Sequence, residues 1–237
     1  MPTDGSLRLR PAEPHESDAL AALYGRTRRA AEPAMPAALH TAEEDRGWFA
    51  ARLRDGEHEA WVAEDDDGLL GYALVTATWL DHLFVEPGRQ SAGIGAGLLD
   101  VVKGVRPTGF CLWVFESNTR ARSFYARHGL VELERTDGSG NEENAPDVKM
   151  AWPGHDPVAF YRGLIDDVDA GLGELLARRA ALTRVVQGAK GSSERDAVRE
   201  REIAERMARV APELGADRLG RIVHAIITES LDAVADR

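Results

Sequence analysis

The chain has 237 residues, enough for one large domain or two modest ones, and its 43% hydrophobic and 29% charged content is typical of a globular protein. Its net charge of -11 argues against general nucleic-acid binding, because phosphate contacts require a clustered basic surface. Cys111 is the only cysteine, which excludes an intramolecular disulfide and fits a reducing cytoplasm. No segment resembles a signal peptide or reaches membrane-spanning length, and the histidines show no metal-ligand spacing. We therefore expect a cytoplasmic protein with no membrane partner and no metal.

The order of apolar patterns predicts two kinds of architecture in one chain. We expect strands over 7–10, 59–64, 69–78, 79–85, 110–115, 130–135 and 147–152, and helices over 16–29, 41–54, 94–103 and 118–128. After Trp152 every apolar pattern is helical, over 156–190, over 194–210 and from a cap at Asp217 onward. We therefore predict an α+β domain over 1–152, a linker over 153–158 and an all-α domain over 159–237.

The predicted helix over 156–190 carries three basic residues within its apolar pattern, Arg162, Arg179 and Lys190. Arg179 and Lys190 are about three turns apart and share a face, whereas Arg162 lies about 25 Å from Arg179 along the same helix. One small ligand can reach all three only if Arg162 comes from a second copy of the chain. The alternative is an amphipathic helix whose basic residues are merely solvated, and three internal glycines, each costing about 1 kcal/mol relative to alanine, oppose a single continuous helix.

A glycine-rich turn, Gln90-Ser-Ala-Gly93-Ile-Gly95-Ala96, follows a predicted strand and opens a predicted helix. This order directs backbone N–H groups and the positive end of the helix dipole toward one point, which suits a pyrophosphate. Glycine at 93 and 95 lets the backbone approach the phosphates without a Cβ between them.

The segment from Leu80 through Gly129 resembles the GCN5-related N-acetyltransferase (GNAT) family, and the resemblance covers about residues 7–152. It rests on the Q-x-x-G-x-G turn and on an N-x-x-A-x-x-F-Y-x-x-x-G segment that begins at Asn118. The family implies a mixed, mostly antiparallel sheet with helices on both faces. It also implies acetyl-CoA in a V-shaped cleft between the strand ending near Val85 and the strand over 110–115.

The resemblance also implies roles for individual residues. Tyr125 would protonate the departing CoA thiolate, and the competing interpretation is that it only packs beside Phe124. The general base is left open among Asp81, His82 and Glu86. The implied cofactor contacts are Phe84, Val85, Gln90, Ser91, Ala92, Gly93, Ile94, Gly95, Ala96, Asn118 and Tyr125.

Residues 159–235 resemble the all-helical (AroQ-type) chorismate mutase family. The matching residues are R-x-x-I-D-x-x-D from Arg162, L-L-x-R-R ending at Arg179, Lys190, D-x-x-R-E from Asp196 and I-I-x-E-S ending at Ser230. The family implies a three-helix domain that forms an intertwined homodimer with two shared sites. It implies no cofactor for this domain.

The implied chemistry is the rearrangement of chorismate, a dianion, to prephenate. The enzyme holds the folded substrate and stabilises charge on the breaking ether bond. The roles carried over are carboxylate binding by the partner's Arg162, by Arg179 and by Ser230, and donation to the ether oxygen by Lys190. Arg199 orients the site, while Glu200 and Asp196 accept from the ring hydroxyl. Val234 stands where the family generally has glutamine or glutamate, and losing that donor raises the barrier by roughly 3–4 kcal/mol.

We therefore expect a bifunctional enzyme of aromatic, shikimate-derived metabolism, in which an N-acetyltransferase with an unknown acceptor amine is fused to a chorismate mutase. Val234 leaves open that the mutase is slow, and three alternatives also stay open for the helical part. It acts on 4-amino-4-deoxychorismate, it senses a metabolite and regulates the acetyltransferase, or it serves only for dimerisation.

Overall fold

The computed structural model describes residues 7–190 and 196–235, apart from the side chains of Lys190, Val234 and Ala235. The chain forms two compact units, Met1–Tyr161 and Arg162–Arg237. The first is α+β and the second is all-α, so the predicted fold class is confirmed. The predicted boundaries at 152 and 159 stay a prediction. None of the described helices is long and apolar enough to cross a membrane.

The first unit contains two antiparallel sheets rather than one. Its elements are β1 (Arg8–Pro11), α1 (Ser17–Ala30), α2 (Ala42–Arg52), β2 (Glu59–Asp65), β3 (Gly68–Val75), β4 (Leu80–Val85), α3 (Ile94–Val105), β5 (Phe110–Phe115), α4 (Thr119–Arg127), β6 (Val131–Thr136) and β7 (Asp147–Trp152). One sheet has the order β1-β2-β3-β4 and the other the order β5-β7-β6. A short 3-10 turn, Pro14–Glu16, precedes α1.

The two sheets meet at one point. Trp79 forms an isolated parallel bridge with Cys111, and the Cys111 N–H donates to the Thr78 carbonyl at 2.9 Å. From this bridge β4 and β5 continue in the same direction but belong to different sheets. The strands therefore diverge toward Val85 and Phe115, where the GNAT resemblance places the acetyl-CoA cleft.

Helices cover both faces of the larger sheet because β3 is apolar on both of its faces. Tyr72 and Leu74 pack in a cluster with residues of α1 and α2, whereas Ala73 and Val75 pack in a second cluster with residues of α3. Alternate side chains of a strand point to opposite faces, so one strand contributes to both clusters. The second cluster continues into the smaller sheet and connects the two sheets into one core.

Local sequence signals set several helix ends. A capping box forms at α2, where Thr41 Oγ1 accepts from the Glu44 N–H and the Glu44 carboxylate accepts from the Thr41 N–H at 2.7 Å. At α4 the Asn118 side chain accepts from the Ala121 N–H at 3.1 Å. Both helices therefore begin with their first N–H groups partly satisfied.

The second unit contains most of α5 (Pro157–Lys190), together with α6 (Ala197–Val210) and α7 (Gly215–Ala235). α5 is one continuous helix, as predicted. Two predicted helix starts need correction. α6 begins at Ala197 because Asp196 caps it, and α7 begins at Gly215, so Asp217 lies in its first turn. The segment between the predicted helices over 156–190 and 194–210 lies outside the described residues.

Candidate active sites

A cavity of about 620 Å³ lies in the cleft beside the glycine-rich turn. Its wall combines the end of β4, the start of α3, the start of α4 and the end of α1 with the loop that follows it. Its lining combines glycines of the turn with apolar side chains, such as Met35 and Phe84, and with the basic residues Arg120 and Arg127. This distribution suits a ligand with a charged end and an apolar arm.

The turn at the start of α3 has the conformation that an anion site requires. Gly93 is the N-cap residue and has a left-handed backbone with φ of 81°, which glycine adopts without the steric cost of a Cβ. The helix ladder begins with the Gly97 N–H donating to the Gly93 carbonyl at 2.9 Å, so the N–H groups before it lack intrahelical partners. Ser91 is also left-handed, and its hydroxyl accepts from Arg120 at 3.3 Å.

Most of the predicted cofactor contacts lie together in this cavity. Its lining includes Phe84, Val85, Gln90, Ser91, Gly93, Gly95, Ala96, Asn118 and Tyr125. Two predicted contacts do not line it. Ala92 is absent from the wall, and the Ile94 side chain packs in the hydrophobic core with 3% exposure, so at most the backbone of Ile94 is available.

Tyr125 lies at the junction of two cavities. Its side chain is 8% exposed, and its ring packs edge-on against Phe124 with centroids 5.3 Å apart. The hydroxyl donates to no group among the described residues, which leaves it available to a ligand. Burial raises the pKa of Tyr125 well above its usual value, so the phenol keeps its proton at neutral pH.

The second cavity, of about 740 Å³, shares Tyr125, Asn118, Ala121, Met35, Leu83 and Phe84 with the first. Its remaining wall comes from α1, β4, β5, β7 and the loop between β6 and β7. Aromatic side chains, among them Tyr24, Trp113 and Phe115, alternate there with charged ones. The two cavities therefore meet where the phenol of Tyr125 is held.

The three candidate bases differ sharply in their surroundings. His82 is stacked between the rings of Tyr24 and Trp48, with centroids at 5.1 and 5.0 Å, and its Nδ1 is hydrogen-bonded to the Tyr72 hydroxyl at 3.0 Å. Burial, aided by the charges of Arg28 and His58, lowers the pKa of His82 to about 3. His82 lines the second cavity, but a group this weakly basic accepts a proton poorly at neutral pH, which disfavours it as the base.

Glu86 is also a poor base, because Arg26 binds both of its carboxylate oxygens at distances of 2.7 to 3.2 Å and it lines neither cavity. Asp81 does line the second cavity. Burial raises its pKa, partly offset by His58, whose Nε2 lies 3.5 Å from the Asp81 carboxylate. Of the three candidates, Asp81 alone combines access to the second cavity with a carboxylate made more basic by burial.

Several residues of these cavities were missed in the sequence. The end of α1 and the loop after it supply Thr27, Arg28, Ala30, Ala31, Glu32, Ala34 and Met35, and α4 supplies Arg120 and Arg127. No glycine turn or compact motif marks these positions. Arg28 carries the one available signal, since an arginine on an otherwise buried helical position is unusual.

In the helical unit the structure brings two of the predicted residues together. Arg179 Nη1 donates to the Ser230 hydroxyl at 2.7 Å and to the Ile226 carbonyl at 3.4 Å. Ser230 is 7% exposed, and its own hydroxyl donates to the same carbonyl. This contact joins α5 to α7 at the position where the mutase resemblance places substrate carboxylates.

The other predicted mutase residues are more dispersed. The Asp196 side chain accepts from the backbone N–H groups of Val198 and Arg199 at 3.0 Å, so it caps α6. Glu200 lies 3.9 Å from His224, a residue that the sequence analysis did not single out. Arg162 and Arg199 are exposed. The side chains of Lys190 and Val234 lie outside the described residues.

Comparison with protein families matches an Acetyltransferase (GNAT) domain to residues 56–132 and Chorismate mutase type II to residues 161–233. The chain is similar to the peptidyl-lysine N-acetyltransferase YjaB of Salmonella typhimurium, with 31% identity over 98 residues that cover 41% of this chain and 67% of the relative. The chain belongs to the GNAT acetyltransferase family. An uncharacterized N-acetyltransferase of Archaeoglobus fulgidus is 32% identical over 111 residues, which cover 40% of this chain and 72% of that protein.

Solved structures show the same fold for the first unit. The apo form of YjaB from Escherichia coli aligns with a TM-score of 0.51 and 23% identity, covering 63% of this chain and 99% of that one. A GNAT-family acetyltransferase of Bacillus cereus aligns with a TM-score of 0.51 and 13% identity, covering 64% and 100%. The two domain matches agree with the predicted fusion, because a GNAT acetyltransferase domain precedes a chorismate mutase type II domain in one chain.

Proposed function

We propose that the first unit transfers an acetyl group from acetyl-CoA to an amine, with the two cavities as donor and acceptor sites. The pyrophosphate would bind at the N-terminus of α3, where Gly93 opens the turn and Arg120 supplies a nearby positive charge. The single observation that carries this proposal is that the two cavities meet at Tyr125. A thioester placed there would be reached by an amine from the other side.

Acetyl-CoA, when bound, supplies the activated acyl group. The residues of the chain would then manage two protons. We assign the removal of the amine proton to Asp81, directly or through water, and the protonation of the departing sulfur to Tyr125. Asn118 would help orient the pantetheine arm, because its carboxamide lies at the same junction while its oxygen caps α4.

Two measurements test this function. Acetyl-CoA is expected to raise the melting temperature of the first unit, because a ligand that binds only the folded state stabilises it. CoA release is then measured with a panel of amines that includes amino acids, aromatic amines and a lysine-containing peptide, the last because one relative is a peptidyl-lysine N-acetyltransferase. No stabilisation by millimolar acetyl-CoA and no release with any amine would contradict the proposal.

For the second unit we propose that a homodimer rearranges chorismate to prephenate. The apolar stripe of α5 supports the dimer, and we define it as Ile165, Val168, Leu172, Leu175, Leu182 and Val186. These side chains are 48–69% exposed in the single chain, with Ile165 at 57% and Val168 at 69%. Their spacing of three and four residues is that of a helix that packs along a partner helix.

Arg179 falls within the same heptad spacing as the stripe, between Leu175 and Leu182. An arginine in a partner-facing row of apolar residues is costly unless it has a function there. Its contact with Ser230 fixes its position and leaves the other guanidinium donors for a carboxylate. We therefore place Arg179 in a site that the partner's Arg162 would complete.

Mixing two inactive variants tests the shared site. Arg162→Ala and Arg179→Ala are each expected to lose mutase activity, measured by the disappearance of chorismate absorbance. Unfolding and refolding them together is expected to restore about a quarter of the wild-type activity, because half of the dimers are mixed and each mixed dimer contains one intact site. If the mixture stays inactive, the sites are not shared between the two chains. If the wild-type protein binds chorismate but does not convert it, a sensing role is favoured.

A further inference from the structure

We propose that the acceptor of the acetyltransferase is a small amino acid-like molecule, and that Arg28 holds its carboxylate. This inference rests on the proposed function and names the substrate class of its second cavity. Arg28 lines that cavity, is 5% exposed and lies on α1, away from every motif that identifies the donor site.

The hydrogen bonds that Arg28 makes use only some of its N–H donors. Its Nη2 donates to the Pro36 carbonyl and to the Glu143 carboxylate, both at 3.1 Å. Its Nε is buried with no hydrogen-bond partner, and Nη1 donates to no group among the described residues. A guanidinium has five N–H donors, so three remain unused on a side chain that is almost fully buried. Leaving such donors unpaired is unfavourable unless a ligand or water completes them.

The surroundings of Arg28 hold it in place for a ligand. Its guanidinium carbon lies 5.9 Å from the ring centroid of Tyr24 and 5.7 Å from that of Phe115, and both rings line the same cavity. Glu143, in the loop between β6 and β7, forms an ion pair with the Arg28 guanidinium. A guanidinium held in this way keeps its Nη1 hydrogens for a carboxylate in the cavity, to which they would donate charge-assisted hydrogen bonds.

The charges of the cavity suit a zwitterion. Besides the Arg28–Glu143 pair, it contains the carboxylates of Asp81 and Asp147, and Asp147 accepts hydrogen bonds from Thr136 and Asn141. Asp81 lies 3.5 Å from His58 Nε2 but accepts no hydrogen bond among the described residues, so it can also contact an ammonium group. A molecule with an ammonium near Asp81 and a carboxylate at Arg28 satisfies both ends, whereas a lysine side chain within a protein offers no carboxylate to Arg28.

The test compares free amino acids with their carboxamides as acceptors for the full chain with acetyl-CoA. The carboxamide keeps the amine and the side chain but lacks the negative charge. We expect Arg28→Met to lower kcat/KM for the amino acid by about 10- to 100-fold, the range of a hydrogen bond to a charged group. We expect it to change kcat/KM for the matching carboxamide by less than threefold. Arg29→Met, an exposed arginine on the same helix, is the matched control and should change neither value.

The comparison separates ligand binding from a structural role. If Arg28 only holds the loop between β6 and β7 in place, Arg28→Met lowers kcat/KM for the amino acid and for the carboxamide equally, and the proposal is wrong. A wild-type enzyme that acetylates carboxylate-free amines or a lysine peptide better than every amino acid overturns it as well, while leaving the N-acetyltransferase function intact. If Arg28→Met does not fold, Arg28→Lys keeps the charge but not the planar fork, and it should reduce activity on the amino acid alone. Absence of acetyl-CoA binding in the wild type contradicts instead the proposed function.

Discussion

Tyr125→Phe removes one oxygen atom from the junction of the two cavities, and it tests the general-acid role directly. The hydroxyl donates to no group among the described residues, so the variant loses no protein hydrogen bond. We therefore expect the free energy of unfolding to change by less than about 0.5 kcal/mol, below the net value of a typical hydrogen bond. The ring keeps its packing against Phe124, so binding of acetyl-CoA should persist.

Activity should respond very differently from stability. Positioned acid catalysis contributes about 100- to 10,000-fold, so kcat for CoA release should fall by that factor, or by roughly 3–5 kcal/mol of barrier. Because burial raises the pKa of Tyr125, the wild-type rate should not decline through loss of this proton as the pH rises from 8 to 10. Tyr161→Phe, on a tyrosine outside both cavities, is the control. A Tyr125→Phe enzyme that keeps a third of the wild-type kcat would refute the assignment.

Three further predictions concern the turn, the buried imidazole and the apolar stripe. Gly93→Ala forces a left-handed backbone on alanine, so it should lower the free energy of unfolding by about 1–2 kcal/mol and weaken acetyl-CoA binding. The control is Gly104→Ala, in open space on the same helix, which should raise the free energy of unfolding by up to about 1 kcal/mol. Chemical denaturation measures both changes. In the unfolded chain His82 takes up a proton near pH 6.5, as an ordinary histidine does, whereas in the folded chain it does so only near pH 3. The free energy of unfolding should therefore fall as the pH drops from 6.5 to 3. In His82→Phe it should fall less steeply over the same interval. Leu172→Asp should shift the protein toward monomer in sedimentation and abolish mutase activity without affecting acetyl-CoA binding, and a fully active dimer would contradict the stripe as the interface.

The donor site could be predicted from the sequence because its chemistry lies in a continuous segment. The segment from Gln90 to Ala96 includes both the glycines of the turn and the start of the helix whose dipole attracts an anion. One local pattern therefore predicts the backbone conformation and the class of ligand together. The structure places most of these residues around one cavity. Ile94 shows the limit of the pattern, since the motif does not distinguish a backbone contact from a side chain that belongs to the core.

The proposed acceptor site could not be predicted in the same way, because it is built by α1, β4, β5, α4, β6, β7 and their loops, which are far apart in the sequence. Arg28 and Glu143 are 115 positions apart and belong to no common motif. The choice among Asp81, His82 and Glu86 likewise depended on tertiary contacts, with two aromatic rings stacked on His82 and Arg26 bound to Glu86. The alternation of residues along a strand predicts the face of the sheet on which a side chain lies, but not the residues that it contacts there.

The long helix shows the opposite case, in which the sequence carries information that a single chain cannot satisfy. Its length separates Arg162 from Arg179 by about 25 Å, and the structure confirms the continuous helix on which that distance depends. The apolar stripe supplies an independent reason for a second copy, because each fully buried valine, leucine or isoleucine contributes about 1.5–3 kcal/mol relative to exposure. Six such side chains offer more than the several kcal/mol that association costs in lost rigid-body freedom. The cationic residues and the apolar residues of α5 therefore support the proposed homodimer for different physical reasons, the first for binding a dianion and the second for stability.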